Sequence, residues 1–301
     1  MQSYNLTELI KFLLYKMTTI LDWKKNIMLN FQKNFQERSI SLLEIDMILK
    51  KVLNMTDLEI ITKENLKIQK NKLKILDCAV QRRILGEPIE YILKEKNFYH
   101  LTLQTSEKVF IPRKDTELII DIALKFFKNR KIRILDLGSG IGTISICLAS
   151  KRKNWNILGV DINPYAIKLS KKNAKNLKLK NVKFLKSNWF NAIKNLIFDI
   201  LISNPPYIGG KDKHLVNLKY EPKNSLISGM NGLRSIKYIC KKSKKFLKKH
   251  GILIIEHGYN QSKYVQYFMK KSGFYNIRTF LDIENRERIT LATKSRIFKQ
   301  L

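Results

Sequence analysis

The sequence predicts an α/β protein: a mostly parallel sheet covered by helices, preceded by a small helical bundle and a β-hairpin linker. Three observations predict it. From about residue 114 short apolar runs alternate with amphipathic ones, the pattern of a parallel sheet with crossover helices. A Gly-rich turn, Gly138-Ser139-Gly140-Ile141-Gly142, follows the first of those runs. The first 85 residues contain neither Gly nor Pro, as a helical bundle favours. With 301 residues the chain is long enough for two domains and a buried core.

The bundle is expected over 1–85. Ser41-Leu42-Leu43-Glu44 and Thr56-Asp57-Leu58-Glu59 each fit a capping box, in which the hydroxyl caps a free N–H and the Glu reaches back. After the first, Leu42, Ile45, Leu49, Val52 and Leu53 recur at helical spacing. Gly86 and Pro88 mark a break, and 86–113 is expected to be an extended linker. Its hairpin strands are expected at Phe98 to Leu103 and Lys108 to Ile111. The α/β domain is expected over 114–301. Ile132 to Leu137, Trp155 to Val160, Val182 to Leu185, Phe198 to Ser203 and Ile252 to Glu256 read as strands. Helices are expected through Ala149 and over Pro164 to Leu179. Asn276 to Leu281 and Arg288 to Thr293 are expected to close the sheet as a hairpin.

Composition excludes several classes. Hydrophobic residues make up 44% of the chain, too many for a disordered basic tail. No apolar run approaches the roughly 20 residues needed to span a bilayer, and the start lacks the order of a signal peptide. Cys78, Cys147 and Cys240 lie far apart, which argues against a disulfide framework and fits a reducing cytoplasm. His100, His214, His250 and His257 show no metal-ligand spacing, so no metal is expected. Lys plus Arg number 58 against 25 Asp plus Glu, a net charge of +33. Of the 58 cations 46 are Lys and 12 are Arg, whereas nucleic-acid readers lean on the Arg fork. The abundance of Ile, Asn and Lys throughout fits a bias toward A/T-rich codons. The runs Lys168 to Lys178 and Lys241 to Lys249 read as solvated helix faces. The charge leaves room for steering of an acidic protein partner and for incidental, salt-dependent RNA binding.

In a doubly wound sheet the Gly-rich turn sits where the ligand binds, at the carboxyl end of the first strand. Asp161 ends the second strand, where a carboxylate can accept ribose hydroxyls. A pyrophosphate prefers G-x-G-x-x-G, and here the sixth position is Thr143. Asp136 before the turn suits a sulfonium better than a pyrophosphate, so S-adenosylmethionine is preferred over a dinucleotide; the alternative for Asp136 is a structural carboxylate that satisfies nearby backbone N–H groups. Asn204-Pro205-Pro206-Tyr207 follows the fourth strand at the same sheet edge. Two prolines stiffen the loop. The Asn204 oxygen and the Pro205 carbonyl can accept both N–H bonds of a planar –NH2 group, turning its lone pair toward a methyl group, and Tyr207 can pack on its flat face. Such a group occurs in glutamine, asparagine, adenine and cytosine, and the tetrapeptide alone does not choose among them.

Taken in order, Glu87-Pro88-Ile89, Phe98, Ile111-Pro112-Arg113-Lys114-Asp115-Thr116-Glu117, Asp136 to Gly142, Ser187-Asn188-Trp189-Phe190, Asn204 to Tyr207, Glu221-Pro222, Glu256-His257-Gly258 and Arg288-Ile289-Thr290 form a set. On it the chain resembles the peptide chain release factor glutamine methyltransferases over nearly its whole length. The resemblance implies a Rossmann-like class I methyltransferase domain and S-adenosylmethionine as donor. It also implies release factors as partners, methylated on the glutamine of a Gly-Gly-Gln loop. It places the donor on Gly138, Ser139, Gly140, Ile141, Gly142, Asp161, Asn188, Trp189 and Asn204, and the glutamine on Asn204, Pro205, Pro206 and Tyr207 with Phe98 as a wall. It makes Arg113, Glu117 and Glu221 structural ties. Asn188 stands where the family usually has Asp, and Lys114 where it commonly has Pro. A ribosomal-protein glutamine methyltransferase shares most of these marks. An adenine methyltransferase shares the tetrapeptide but needs a target-recognition region that is not evident. A non-catalytic RNA binder predicts damaged motifs, and both motifs are intact.

Overall fold

A computed structural model describes residues 18–34, 40–127 and 130–297 of the chain. The chain forms two compact units that divide between Leu93 and Lys94. The expectation of helix over residues 1–17 lies outside the described residues.

The first unit holds helices α1 (Ile20–Asn34), α2 (Leu42–Leu53), α3 (Asp57–Thr62), α4 (Lys70–Ile84) and α5 (Ile89–Leu93). Both capping boxes form: Ser41 accepts from the Glu44 N–H and Thr56 from the Glu59 N–H, while each Glu returns to its cap. Ile20, Ile45, Ile48, Leu49 and Leu76 build the core, with Trp23 donating its indole N–H to Asp77 at 2.8 Å. Leu42 departs from the expected stripe and is exposed. A helical side chain leans toward the N-terminus, so the first residue overhangs the end of the helix instead of the core.

In the second unit, β1 (Glu95–Phe98) and β2 (Leu101–Gln104) form an antiparallel hairpin. This corrects the expected strand positions. Tyr99 takes a left-handed φ of 56° and turns the chain with His100, inside the run read as one strand. Residues 108–111 form no ladder; the Ile111 N–H is taken instead by the buried Glu221 carboxylate at 3.2 Å.

The main sheet follows with β3 (Arg133–Leu137), β4 (Asn156–Asp161), β5 (Val182–Lys186), β6 (Phe198–Ser203), β7 (Leu247–Glu256), β8 (Tyr275–Leu281) and β9 (Glu287–Thr293). Its order is β5-β4-β3-β6-β7-β9-β8; β9 runs antiparallel to β7 and to β8, and the other pairs are parallel. The interposed helices are α6 (Glu117–Phe126), α7 (Thr143–Lys151), α8 (Pro164–Asn176), the short α9 (Lys223–Leu226), α10 (Arg234–Ser243) and α11 (Ser262–Lys271). Successive strand residues point to opposite faces. Ile134, Ile157, Ile200 and Ile252 pack with α6, α7 and α8, and Leu135, Leu201 and Leu253 with α10 and α11. The lysines of α8 are solvated as expected. The second Lys run is not wholly helical: α10 ends at Ser243, and Lys248 and Lys249 already belong to β7. Lys248 there pairs with Asp199 of the adjacent strand at 2.9 Å, a tie that extends β7 backward past the bulge. No helix among the described residues is long and apolar enough to cross a membrane.

Candidate active site

The carboxyl ends of β3, β4 and β6 surround one cavity of about 690 Å³. β3 hands over to the Gly-rich turn, where the Gly138 and Ser139 N–H groups both reach the Val160 carbonyl, at 2.8 and 2.9 Å, and the Gly142 N–H closes on the Ser139 carbonyl. Gly142 has φ +89°, and a Cβ there would stand 2.8 Å from both Ile146 and Phe184, so the turn can seat on α7 and β5 only with glycine. Gly140 serves the other side: a Cβ on it would meet nothing within 4 Å, so its backbone borders open space. Gly138 and Gly140 line the cavity. Ser139, Ile141 and Gly142 do not; Ser139 and Ile141 are buried, and all three shape the turn from behind.

Asp161 ends β4 on the cavity wall. Its Oδ2 accepts from the Gly140 N–H and its Oδ1 from the Asn163 N–H, both at 2.8 Å. Burial raises its pKa, a rise that these backbone donors only partly offset. Asn188 and Trp189 line the cavity beside it. Trp189 is held at φ +50° by Ser187, whose hydroxyl donates to the Trp189 carbonyl at 2.8 Å, and its ring lies against Gly138.

All four residues of the tetrapeptide line the same cavity. Ser203 donates to the Leu137 carbonyl at 2.7 Å, tying the loop to the root of the Gly-rich turn. The Asn204 side-chain NH2 donates to Thr116 Oγ1 at 3.0 Å, which leaves its Oδ1 uncommitted. The Tyr207 hydroxyl donates to Glu256 Oε1 at 3.3 Å, and burial pushes the Tyr207 pKa upward, so it stays a neutral phenol. Its carbonyl accepts from Gln261 Nε2 at 2.9 Å. Gly232 is pressed against that carbonyl so closely that a Cβ would come within 1.9 Å of it.

Two residues stand apart from the cavity. Phe98 is 2% exposed and buried in the core of the second unit, away from the cavity lining. Asp136 is also buried behind the turn, where it accepts from the Ser145 hydroxyl at 2.7 Å. Burial pushes its pKa up to about 7. It therefore cannot meet a sulfonium directly, and the structural-carboxylate reading of Asp136 is the one the geometry supports. Arg113 pairs with Glu221, and Glu117 accepts from the Tyr99 N–H at 2.8 Å, so these serve as ties. Thr116, Gln261, Gly232 and Asn173 have positions around the site that spacing did not reveal. Asn173 holds the Ile141 carbonyl and both backbone groups of Gln104 from the buried face of α8. An Asn among buried helix positions was the one available signal for it.

A methyltransferase domain family matches residues 128–298, and the PrmC N-terminal domain family matches residues 28–93. A release factor glutamine methyltransferase of Buchnera aphidicola from Schizaphis graminum is 42% identical over 253 residues, 83% of this chain and 92% of that protein. The chain belongs to the release factor glutamine methyltransferase family. The Coxiella burnetii member is 34% identical over 84% of this chain and 91% of its own. A methyltransferase structure from Pyrococcus furiosus superposes with a TM-score of 0.52 at 18% identity, covering 72% of this chain and 98% of that one, a likeness of fold. The chain is thus an S-adenosylmethionine-dependent methyltransferase with the class I fold. Its residues fit that donor. Backbone at Gly138 and Gly140 borders open space, a carboxylate stands at the end of β4, and an amide and an indole complete the wall. No group of three or more His, Cys, Asp or Glu that could hold a metal is found among the described residues.

Proposed function

We propose that this enzyme methylates the side-chain amide nitrogen of the glutamine in the Gly-Gly-Gln motif of peptide chain release factors. The family membership supports the substrate class, and the reducing-compartment chemistry of the cysteines fits action in the cytoplasm. The reading rests on one observation: the Asn204 NH2 group is already engaged by Thr116, so its Oδ1 is the free atom on a wall shared with the Gly-rich turn and Asp161.

S-adenosylmethionine, when bound, supplies a methyl group made electrophilic by its sulfonium. Gly138, Gly140, Asp161, Asn188 and Trp189 bind and orient it, with Asp161 as the acceptor for ribose hydroxyls and Trp189 as an aromatic wall. Asn188 is a neutral acceptor where the family usually carries Asp, which weakens the hold on the donor. Asn204 Oδ1 and the Pro205 carbonyl accept the two N–H bonds of the glutamine amide. Those bonds align the nitrogen lone pair and stabilise the positive charge that grows on nitrogen during transfer. Tyr207 packs on the amide face. The nitrogen becomes acidic once methylated, and the surplus proton passes to solvent without a strong base.

The test is transfer of labelled methyl from S-adenosylmethionine to a purified release factor and to its Gln→Ala variant in the Gly-Gly-Gln loop. Label is expected only on the unmodified factor. Label that persists on the variant overturns the assignment of the glutamine, and label that appears only on a ribosomal protein or nucleic acid in a cell extract reassigns the substrate.

A further inference from the structure

Gln261 stands at the N-cap of α11, is 7% exposed and lies outside the cavity lining. Each polar atom of its side-chain amide is engaged. Nε2 donates to the Tyr207 carbonyl at 2.9 Å and to the Asn231 carbonyl at 3.2 Å, while Oε1 accepts from the Gly258 N–H at 2.9 Å. Turned over, the amide would set its oxygen against two carbonyls and its NH2 against an N–H, so one orientation alone satisfies all three partners. Two glycines leave room for it. A Cβ on Gly232 would stand 2.8 Å from Nε2, and one on Gly258 would stand 3.1 Å from Oε1. The Gly258 end is itself anchored: His257 Nδ1 donates to the Gly258 carbonyl at 2.9 Å, and His257 Nε2 meets Thr290 Oγ1 at 2.8 Å.

The tetrapeptide needs such a brace. Pro205 and Pro206 have no N–H to donate, so the loop relies on donors brought from elsewhere to its carbonyls. Just past it, the Ile208 N–H donates to the Leu226 carbonyl at 3.0 Å. The peptide plane between Tyr207 and Ile208 is therefore pinned at both ends, its carbonyl by Gln261 and its N–H by Leu226. Without Gln261 one end is free and the plane can turn. Two prolines pass that turn back along the loop instead of absorbing it, because their φ angles are fixed. We propose that Gln261 is a positioning residue of the methyl-acceptor site: its NH2 group fixes the Tyr207 carbonyl, and through it the seat of the Pro205-Pro206-Tyr207 segment on the cavity wall. The proposal rests on the reading that Asn204 to Tyr207 hold the substrate amide.

The test compares Gln261→Met and Gln261→Glu in the full chain. Gln261→Met keeps the length of the side chain and loses both donors. It is expected to speed hydrogen exchange of the Ile208 amide, followed by NMR without substrate, by at least about tenfold. In methyl transfer to the release factor it is expected to lower kcat by about tenfold or more, with the Kd for S-adenosylmethionine within about twofold. Gln261→Glu adds a pH readout. Ionised, the new carboxylate faces two carbonyls with no proton to give; protonated, it has one O–H for the Tyr207 carbonyl while its other oxygen accepts from Gly258. Burial favours the protonated form. The kcat of Gln261→Glu relative to wild type is therefore expected to rise by about fivefold or more from pH 8.5 to pH 6, while that of Gln261→Met stays flat. The ionisable groups joined to these loops are Glu256 through Tyr207, His257 through Gly258, Glu287 through Ser262 and Arg288 through the His257 N–H. Gln261→Met shares them, so their own titration cancels in the comparison. A flat ratio for Gln261→Glu, or wild-type kcat or wild-type Ile208 exchange in Gln261→Met, overturns the proposal. If the wild-type enzyme leaves the release factor unlabelled, the substrate reading alone fails, and Ile208 exchange in Gln261→Met still decides whether Gln261 holds the loop.

Discussion

At the scale of single residues, the proposed acceptor site is held by atoms that sit behind it. Gly232 is the sharpest case. Its φ is +90°, and any Cβ would stand 1.9 Å from the Tyr207 carbonyl. Gly232→Ala is therefore expected to push the tetrapeptide out of register and to lower kcat by about tenfold or more while S-adenosylmethionine still binds. Calorimetry of donor binding beside steady-state transfer separates the two effects. In the proposed mechanism Asn204→Ala removes one of two acceptors for the amide N–H bonds, and about 100-fold loss in kcat is expected by the scale of a lost transition-state hydrogen bond. The proposed place of Trp189 in the donor wall makes it a reporter of donor binding. Trp23 and Trp155 are buried in the cores of the two units, whereas Trp189 lines the cavity. Titration with S-adenosylmethionine should change tryptophan fluorescence in the wild type, and Trp189→Phe should abolish the change.

At the scale of elements, β3 and β7 each carry a buried carboxyl to the active edge of the sheet. Asp136 and Glu256 both have pKa values pushed up to about 7, from ordinary values of 3.8 and 4.5. Burial is the main cause in both. A raised carboxyl pKa means that the folded chain keeps protons the unfolded chain has released. These groups therefore favour folding at pH below about 4, and that contribution is lost as pH rises toward and through about 7. The Asp136→Asn variant keeps an acceptor for the Ser145 hydroxyl and removes the buried charge. It is expected to be more stable than wild type at pH 8, by on the order of 2 kcal/mol, and so to unfold at a higher temperature there, and to match wild type near pH 4. Thermal unfolding across that range checks the sign; a variant less stable than wild type at pH 8 contradicts it. The hairpin of β1 and β2 makes a related point about elements. Its turn came at Tyr99-His100, inside an apolar run that alternation alone reads as continuous strand.

At the scale of the whole molecule, the +33 charge is spread over solvated faces and not gathered at the cavity, whose lining includes Arg113 and Asp161 but no lysine. Between Glu221 and Asp282 the sole acidic residue is the buried Glu256, so this stretch, which holds α10, β7 and α11, is lysine-rich with almost no carboxylate of its own, although Lys248 pairs with Asp199 of β6. Retention on immobilised RNA is expected at low salt and should be lost by roughly 0.3 M salt, as counterion release dictates. Methyl transfer from a saturating donor to the release factor is expected to be less sensitive to salt, because the proposed acceptor contacts are uncharged hydrogen bonds. Binding that survives high salt would point to a built nucleic-acid site.

The sequence by itself determined the fold class, the order along the chain of the seven main-sheet strands, both capping boxes, and the placing of the Gly-rich turn, Asp161 and Asn204 to Tyr207 at one sheet edge. These features follow from local signals: hydrophobic period, turn chemistry and the end of a strand. Tertiary structure alone decided that Asp136 and Phe98 lie apart from the cavity, that Asn204 is oriented by Thr116, 88 residues earlier, and that Glu256 reaches Tyr207, 49 residues earlier. Those partnerships join side chains from different elements, and their geometry is set by sheet register and helix packing. Spacing along a chain carries no record of either.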